Sequence, residues 1–259
     1  MDSALSVKDL SLNIGGAKIL DGITLDVAHN ETLGIIGPNG AGKTSFFNLL
    51  SGIRKPSRGQ IFVNSTEVTN LEPHERAKAG IARTFQTSSV FVNLTCLENV
   101  RIAAQAATGR SMNLTKNAYK FPEVLEVAHD CLAKVGLSAR SMQRAGALSH
   151  GDKRRLEIAI VLASKSDIVL LDEPMAGVNP ALKQSLLEHI KELRNEGKTV
   201  LFVEHDMDMV HEISDWVVVM SQGEVIAEGT PASVMKNENV IEAYLGAHHN
   251  VNLSSEGDK

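Results

Sequence analysis

The chain is predicted to adopt an α/β fold: a mixed sheet flanked by helices, with an N-terminal antiparallel β layer and an inserted α-helical subdomain. Three observations carry this expectation. Short apolar runs suited to buried parallel strands occur at Thr32-Leu33-Gly34-Ile35-Ile36, at Ile168-Val169-Leu170-Leu171-Asp172 and over 199–203. Around residues 23–27 and 59–64 apolar and polar residues instead alternate with a period of two, as in antiparallel strands with one wet face. From about Ser88 to 163 the apolar spacing turns helical.

Ile23, Leu25 and Val27 alternate with Thr24 and Asp26, and Gly59-Gln60-Ile61-Phe62-Val63-Asn64 repeats that character, so both belong to the antiparallel layer. Between them the 32–36 strand runs into Gly37-Pro38-Asn39-Gly40-Ala41-Gly42-Lys43-Thr44, which satisfies G-x-x-x-x-G-K-[ST] and reads as a phosphate-binding P-loop. Its glycines let backbone N–H groups turn inward around the β- and γ-phosphate oxygens. Lys43 can reach the same oxygens, and the Thr44 hydroxyl can ligate Mg²⁺. A helix from about Thr44 to Leu50, with Ser45 in its first turn, points its positive end at the anion. The plain alternative is a glycine-rich turn that happens to hold a lysine.

Further along, Thr95-Cys96-Leu97-Glu98 fits a capping box that opens a helix to about Ala107. Gly109 to Phe121 reads as a polar loop. Val124, Val127, Ala128, Cys131, Leu132 and Val135 then share one helical face that stops at Gly136. The 168–172 strand ends in Asp172, a carboxylate delivered at a strand's C-terminal end, where it can hold Mg²⁺. Glu173 follows at once, placed to orient or deprotonate the water attacking a γ-phosphate; its plain alternative is a solvated acid at a strand exit. After it come a helix from Pro180 to Glu196, a strand over 199–203, a helix from about Asp206, and strands over 216–220 and 224–228. Thr230-Pro231 has the residues of a helix N-cap and first position, and the tail beyond about Gly246 is polar.

Bulk properties bound the function. At 259 residues with 43% apolar content and a net charge of −5, the chain is of ordinary globular composition, large enough for one domain with a sizeable insertion. No apolar run approaches the roughly 18 residues of a membrane span, and Met1-Asp2-Ser3-Ala4 lacks an export signal's basic and apolar regions, so a cytosolic chain is expected. Cys96 and Cys131 match no metal-ligand spacing and read as core residues rather than a disulfide. The mildly acidic balance offers no basic stripe and counts against nucleic acid as a partner.

One further stretch carries a family resemblance. Leu148-Ser149-His150-Gly151-Asp152-Lys153-Arg154-Arg155, just upstream of the acid pair, resembles the LSGGQ signature of ABC-transporter ATPases. Physically it is a helix start: Ser149 has N-cap chemistry, Gly151 permits close backbone approach, and the free N–H groups attract anions. The resemblance covers nearly the whole chain. It implies a P-loop NTPase core over 1–88 and 164–246, a helical subdomain with the signature over 89–163, and a flexible tail over 247–259. It also implies ATP and Mg²⁺ as cofactors and assigns further roles. Gln86, in Arg83-Thr84-Phe85-Gln86, looks like the Q-loop glutamine that contacts the metal and reports to a transmembrane partner. His205, in Val203-Glu204-His205-Asp206, looks like the switch histidine that holds the γ-phosphate and the water. Met175-Ala176-Gly177-Val178-Asn179-Pro180 occupies the D-loop, with Asn179 where many relatives have Asp. Ser149 and Gly151 would face the γ-phosphate of a second cassette in a head-to-tail dimer.

Within that family the chain looks most like the ATPases of branched-chain amino acid importers, the LivG/LivF type, through Arg83-Thr84-Phe85-Gln86, Arg154-Arg155-Leu156-Glu157-Ile158-Ala159, Glu204-His205-Asp206-Met207 and Val240-Ile241-Glu242-Ala243-Tyr244-Leu245-Gly246. Urea and short-amide importer ATPases are similar, and lipopolysaccharide-export ATPases share an Ala-Gly-Val turn after the acid pair. An importer of this type implies two transmembrane permease subunits, a second identical or related ATPase, an extracytoplasmic solute-binding protein, and a peripheral place on the cytoplasmic face of the inner membrane. Three positions depart from the pattern. Ile14 stands where many relatives stack an aromatic on adenine, His150 replaces a glycine, and Asp152 replaces a glutamine and brings a negative charge near a phosphate-facing loop. Two other classes stay open: a permease-free ATPase of repair or translation, which usually has two nucleotide domains or long coiled coils, and a nucleotide-binding scaffold with a weakened site.

Overall fold

The computed structural model describes residues 3–83, 90–108, 122–176, 178 and 180–244, the side chains of 180–182 and 185 excepted. Strands β1 (Ser3–Ile14) and β2 (Ala17–Ala28) form a long hairpin, and β3 (Thr32–Ile36) leaves it for a second sheet. Helix α1 (Lys43–Leu50) follows the P-loop; β4 (Arg58–Val63) and β5 (Thr66–Glu67) then complete a four-stranded antiparallel layer ordered β2-β1-β4-β5. This is the expected β layer. The irregularities in β1, between Val7 and Leu10 and again toward Asn13, break its alternation, and Asp9 takes a positive φ of 49° there. That is why the strand has no clean period of two to read.

After α2 (Pro73–Lys78) and β6 (Ile81–Arg83) the chain enters the helical region with α3 (Cys96–Ala107), α4 (Pro122–Lys134) and α5 (His150–Ala163). It returns through β7 (Ile168–Asp172), α6 (Pro180–Asn195), β8 (Thr199–Val203), α7 (Met207–Ile213), β9 (Trp216–Ser221), β10 (Glu224–Gly229) and the short α8 (Pro231–Val234). The second sheet has the order β10-β9-β3-β8-β7-β6, parallel except for β10. Every residue of β3, β7 and β8 is buried, as strands covered on both faces require. One face packs Ile35, Leu170 and Leu201 with α1 and the antiparallel layer; the other packs Val169, Leu171 and Phe202 with the helical side. Crossover connections bring the strand ends Ile36, Asp172 and Val203 to one edge of the sheet, the place where open α/β sheets bind ligands.

The capping box is reciprocal, with Glu98 N–H donating to Thr95 Oγ1 (3.1 Å) and Thr95 N–H to Glu98 Oε2 (2.8 Å). Gly136 takes φ +71° just after α4, where the sequence predicts that helix to stop. Cys96 and Cys131 are buried free thiols in the helical core, and burial pushes both thiols up. Pro231 opens α8 as expected, but the Thr230 side chain makes no cap bond. The polar loop over 109–121 and the tail lie outside the described residues.

Helix α2 is not legible in the sequence, yet it anchors the site. Its Arg76 is buried and donates to the carbonyls of Leu49, Leu50 (2.8 Å) and Thr69 (2.7 Å), so a cation terminates α1 and meets its negative end. Burial pulls the Arg76 guanidinium below its ordinary range, opposed by Glu72.

Candidate nucleotide-binding and catalytic site

The P-loop is shaped by close approach. Gly37, at φ +148°, lies where a Cβ would stand 2.1 Å from the Met220 carbonyl oxygen. Gly42, at φ +98°, caps α1, and a Cβ there would stand 2.6 Å from Leu20 Cδ2. Only glycine lets the loop lie this flat against β2 and β9. With no side-chain cap on α1, the first-turn N–H groups are left for an anion. Gly223 N–H donates to the Ala41 carbonyl (3.1 Å), pinning the loop to the β9–β10 turn. Lys43 is 6% exposed and folds back, donating to the carbonyls of Gly37 (2.7 Å) and Pro38 (3.0 Å). Burial lowers its affinity for a proton, while Glu173 and Asp172 pull the other way. Asn39 and Gly40 form the exposed crown of the loop beside half-buried Pro38, with Thr44 exposed and Ser45 half-buried in the first turn of α1.

Asp172 is fully buried at the end of β7, where its Oδ2 accepts from Arg83 Nη2 at 2.8 Å. Arg83 also donates to Asn48 Oδ1 (2.8 Å) and Ser51 Oγ (2.9 Å) and lies 5.7 Å from the Phe47 ring centre. One guanidinium thus ties the end of β6 to α1 and to the acid of β7. In the sequence Arg83 stands out only as part of a family echo. Thr44 and Asp172 supply hard oxygen donors of the kind Mg²⁺ takes. Among the described residues no cluster of three or more His, Cys, Asp or Glu forms a metal cage.

Glu173 occupies the left-handed region at φ 47°. Its N–H donates to the Val203 carbonyl (3.0 Å), and its own carbonyl accepts from Arg154 Nη2 (3.0 Å) and Ala176 N–H (3.1 Å). Backbone strain of this sort persists only where the surroundings hold it, and it gathers at functional sites. The side chain reaches out so that Oε1 lies 3.4 Å from Nε2 of the exposed His205. The structure therefore unites the two residues that the sequence places one strand apart. Glu204, before His205, is 4% exposed; its Oε1 accepts from Met175 N–H (2.7 Å) and its Oε2 from His205 N–H (3.1 Å). Burial pushes the Glu204 carboxyl up, against the N–H donors that pull it down. Asp206 caps α7, and the hydrogen bond from Lys183 (2.7 Å) holds its carboxyl below the usual range.

The signature residues stand elsewhere, at the start of α5. Ser149 is its N-cap: Oγ accepts from Asp152 N–H (3.2 Å) and donates to Asp152 Oδ2 (2.8 Å). Gly151 is buried in the first turn and His150 is exposed beside it. The added charge of Asp152 is met by Arg140, paired with Oδ2, and by Arg155, 3.7 Å from Oδ1. The expected excess negative charge at this loop is offset locally. Ile14 is partly exposed at the tip of the β1–β2 hairpin. Gln86, Gly177 and Asn179 lie outside the described residues.

Comparison with known proteins places this geometry. The sequence pattern of the family described as "ABC transporter" matches residues 20–176, and that of the "Branched-chain amino acid ATP-binding cassette transporter" matches residues 224–250. The chain is 39% identical over 250 residues to the high-affinity branched-chain amino acid transport ATP-binding protein BraF of Pseudomonas aeruginosa, covering 93% of this chain and 97% of that protein. It is 40% identical over 248 residues to LivG of Escherichia coli, with the same coverage. Among solved structures, a nucleotide-free ATP-binding cassette from an ABC transporter aligns with a TM-score of 0.82 at 32% identity, over 93% of this chain and 98% of that one. A structure of the ADP conformation of MJ1267, an ATP-binding cassette of an ABC transporter, aligns with a TM-score of 0.82 at 31% identity, over 95% of this chain and 100% of that one. The matched family pattern runs through the P-loop, the signature and the Asp172–Glu173 strand end, and the cassettes superpose over nearly the whole chain; the chain belongs to the ABC transporter family, as one of its ATP-hydrolysing cassettes.

Proposed function

We propose that this cassette is the motor subunit of a branched-chain amino acid importer. The observation that carries this reading is the near end-to-end likeness to cassettes named for that transport, joined by the separate match over 224–250. At the site, Gly37 through Ser45 cradle the ATP phosphates. Lys43 exchanges the carbonyls of Gly37 and Pro38 for γ-phosphate oxygens, whose negative charge offsets the cost of burying its ammonium. Thr44 and Asp172, with Gln86, would hold Mg²⁺, which when bound would neutralise phosphate charge. Glu173 orients or deprotonates the attacking water, and His205, 3.4 Å away, steadies that water and the γ-phosphoryl group. Ile14 offers the adenine an apolar contact in place of a stacked ring.

Ser149 and His150 are exposed at the N-terminus of α5, whose positive end favours an anion, which supports a head-to-tail dimer in which each signature completes the other's site. Phe91 (58% exposed), Val92 and Met142 (73% exposed) stand out from the helical subdomain, on segments joined where Gly146 N–H donates to the Val92 carbonyl and Leu97 N–H to that of Ser141. This apolar patch, close in sequence to Gln86, suits the cytoplasmic loops of two permease subunits. No helix among the described residues is long and apolar enough to cross a membrane. In this reading the membrane path belongs to those permease partners, and the cassette sits on the cytoplasmic face of the inner membrane. An extracytoplasmic binding protein then delivers the solute.

The test is affinity capture of the tagged chain from gently solubilised membranes, with mass spectrometry of the proteins that co-purify. Two multi-span permeases, a second cassette and an amino-acid-binding protein are expected. Recovery of the chain alone in the soluble fraction would return the reading to a permease-free ATPase.

A further inference from the structure

The strained peptide of Glu173 is held from two sides. From β8, the Val203 carbonyl accepts its N–H at 3.0 Å; from α5, Arg154 Nη2 donates to its carbonyl at 3.0 Å. Arg154 is 7% exposed, and its Nη1 donates to Oε2 of Glu157, itself 4% exposed, at 2.7 Å. A buried ion pair gains little net stability over well-packed apolar side chains of the same volume, so stability alone does not account for one here. What the pair does accomplish is geometric. It carries a donor from the helix that begins with Ser149 and Gly151 to the backbone of the acid expected to activate water.

We propose that Arg154 is a positioning residue for hydrolysis: its bond to the Glu173 carbonyl holds the left-handed peptide that aims the carboxylate toward His205, and Glu157 fixes the guanidinium for that bond. The seating of α5, whose N-terminus is the signature, is thereby felt at the chain's own catalytic edge. The inference rests on the reading of Glu173 as the group that activates water.

The test uses the full chain with Mg·ATP. Arg154→Met combined with Glu157→Leu removes both charges while conserving volume, so the melting temperature should stay close to the wild-type value. The proposal expects KM for ATP within about twofold and kcat lowered about 10- to 100-fold, since a misplacement near 1 Å at a reacting group can cost that much. In a Glu173→Gln background the same pair of changes should alter the residual rate by less than about twofold, because both act through one carboxylate. A double variant with native melting and wild-type kcat, or an undiminished fall in the Glu173→Gln background, would overturn the proposal. Should the double variant fail to fold, Arg154→Lys decides the matter: it keeps a cation beside Glu157 but not the two-pronged donor, so kcat must fall with KM unchanged. Wild-type turnover by Glu173→Gln alone would sink the catalytic reading itself, an outcome separate from failure of the Arg154 arm.

Discussion

The phosphate edge of the parallel sheet and the start of α5 belong to one chain but are built on opposite plans. At the sheet edge Lys43, Asp172 and Glu204 are buried, and each is fixed by a partner outside its own element: the P-loop carbonyls, Arg83 of β6, and the backbone N–H of Met175. At the start of α5, Ser149 and His150 are exposed, and the Ser149 hydroxyl bonds only three residues away, to Asp152. On the proposed reading, the first region is a half-site completed by folding and the second is a surface that meets a second cassette, and that difference sets what each substitution is expected to do.

The largest effect is expected at the completed half-site. Glu173→Gln should lower kcat by about 10²- to 10⁴-fold, the range for loss of a general base, and leave nucleotide binding intact. Phosphate release and binding of a fluorescent ATP analogue measure the two separately, and equal turnover in variant and wild type removes Glu173 from the mechanism. Next comes Arg83→Met, which takes the cation from buried Asp172. Breaking a buried pair from one side costs about 3–5 kcal/mol, so the urea midpoint should drop steeply, and adding Asp172→Asn should recover most of the loss. No recovery would mean that Arg83 matters through Asn48 and Ser51 instead.

Ser149→Ala probes the other region and should do less. Loss of an N-cap costs about 1 kcal/mol of stability, while turnover should fall about tenfold, as for one lost phosphate-facing hydrogen bond with an ionised partner. The sharper experiment mixes this variant with Glu173→Gln. If the signature serves a second chain, each mixed dimer contains one site with both wild-type halves, and turnover exceeds the mean of the two parents. If the signature serves its own chain, the mixture gives that mean.

The same contrast explains which features are legible in the amino-acid sequence and which emerge only on folding. The P-loop, the 168–172 strand and the Thr95–Glu98 capping box are local: their residues lie within a few positions, and each pattern has one physical use. The roles of Arg83, Arg76 and Arg154 are not legible, because their partners are up to 89 residues away in sequence and an arginine on a strand or helix looks the same whether solvated or buried. The charge of Asp152 is visible but its neutralisation is not, since Arg140 approaches from a separate 3-10 turn at Ser138–Arg140. Hydrophobic period fails for β1 for a related reason, a ladder interrupted by irregularities that pair it to two neighbours at once.

Glu204 offers the smallest and most discriminating test of the buried edge. Its carboxyl is pushed above the ordinary value of 4.5, first by burial and also by the charge of Glu173, despite accepting N–H bonds that favour the ionised form. A folded-state value raised above the unfolded one means that the native protein keeps a proton the unfolded chain has lost. The stability from that difference is fully present below the unfolded value and is lost as pH rises through the folded value. Glu204→Gln cannot titrate, so the stability of the wild type relative to the variant should be greatest at acid pH and should decline across the window above 4.5 before levelling. Urea midpoints measured for both proteins from acid to neutral pH give that difference directly. A rise instead of a decline would show that the N–H groups of Met175 and His205 outweigh desolvation; the turn after Glu173 and the histidine beside it would then be gripped by a true carboxylate, and the buried edge would owe its order to charge as well as to packing.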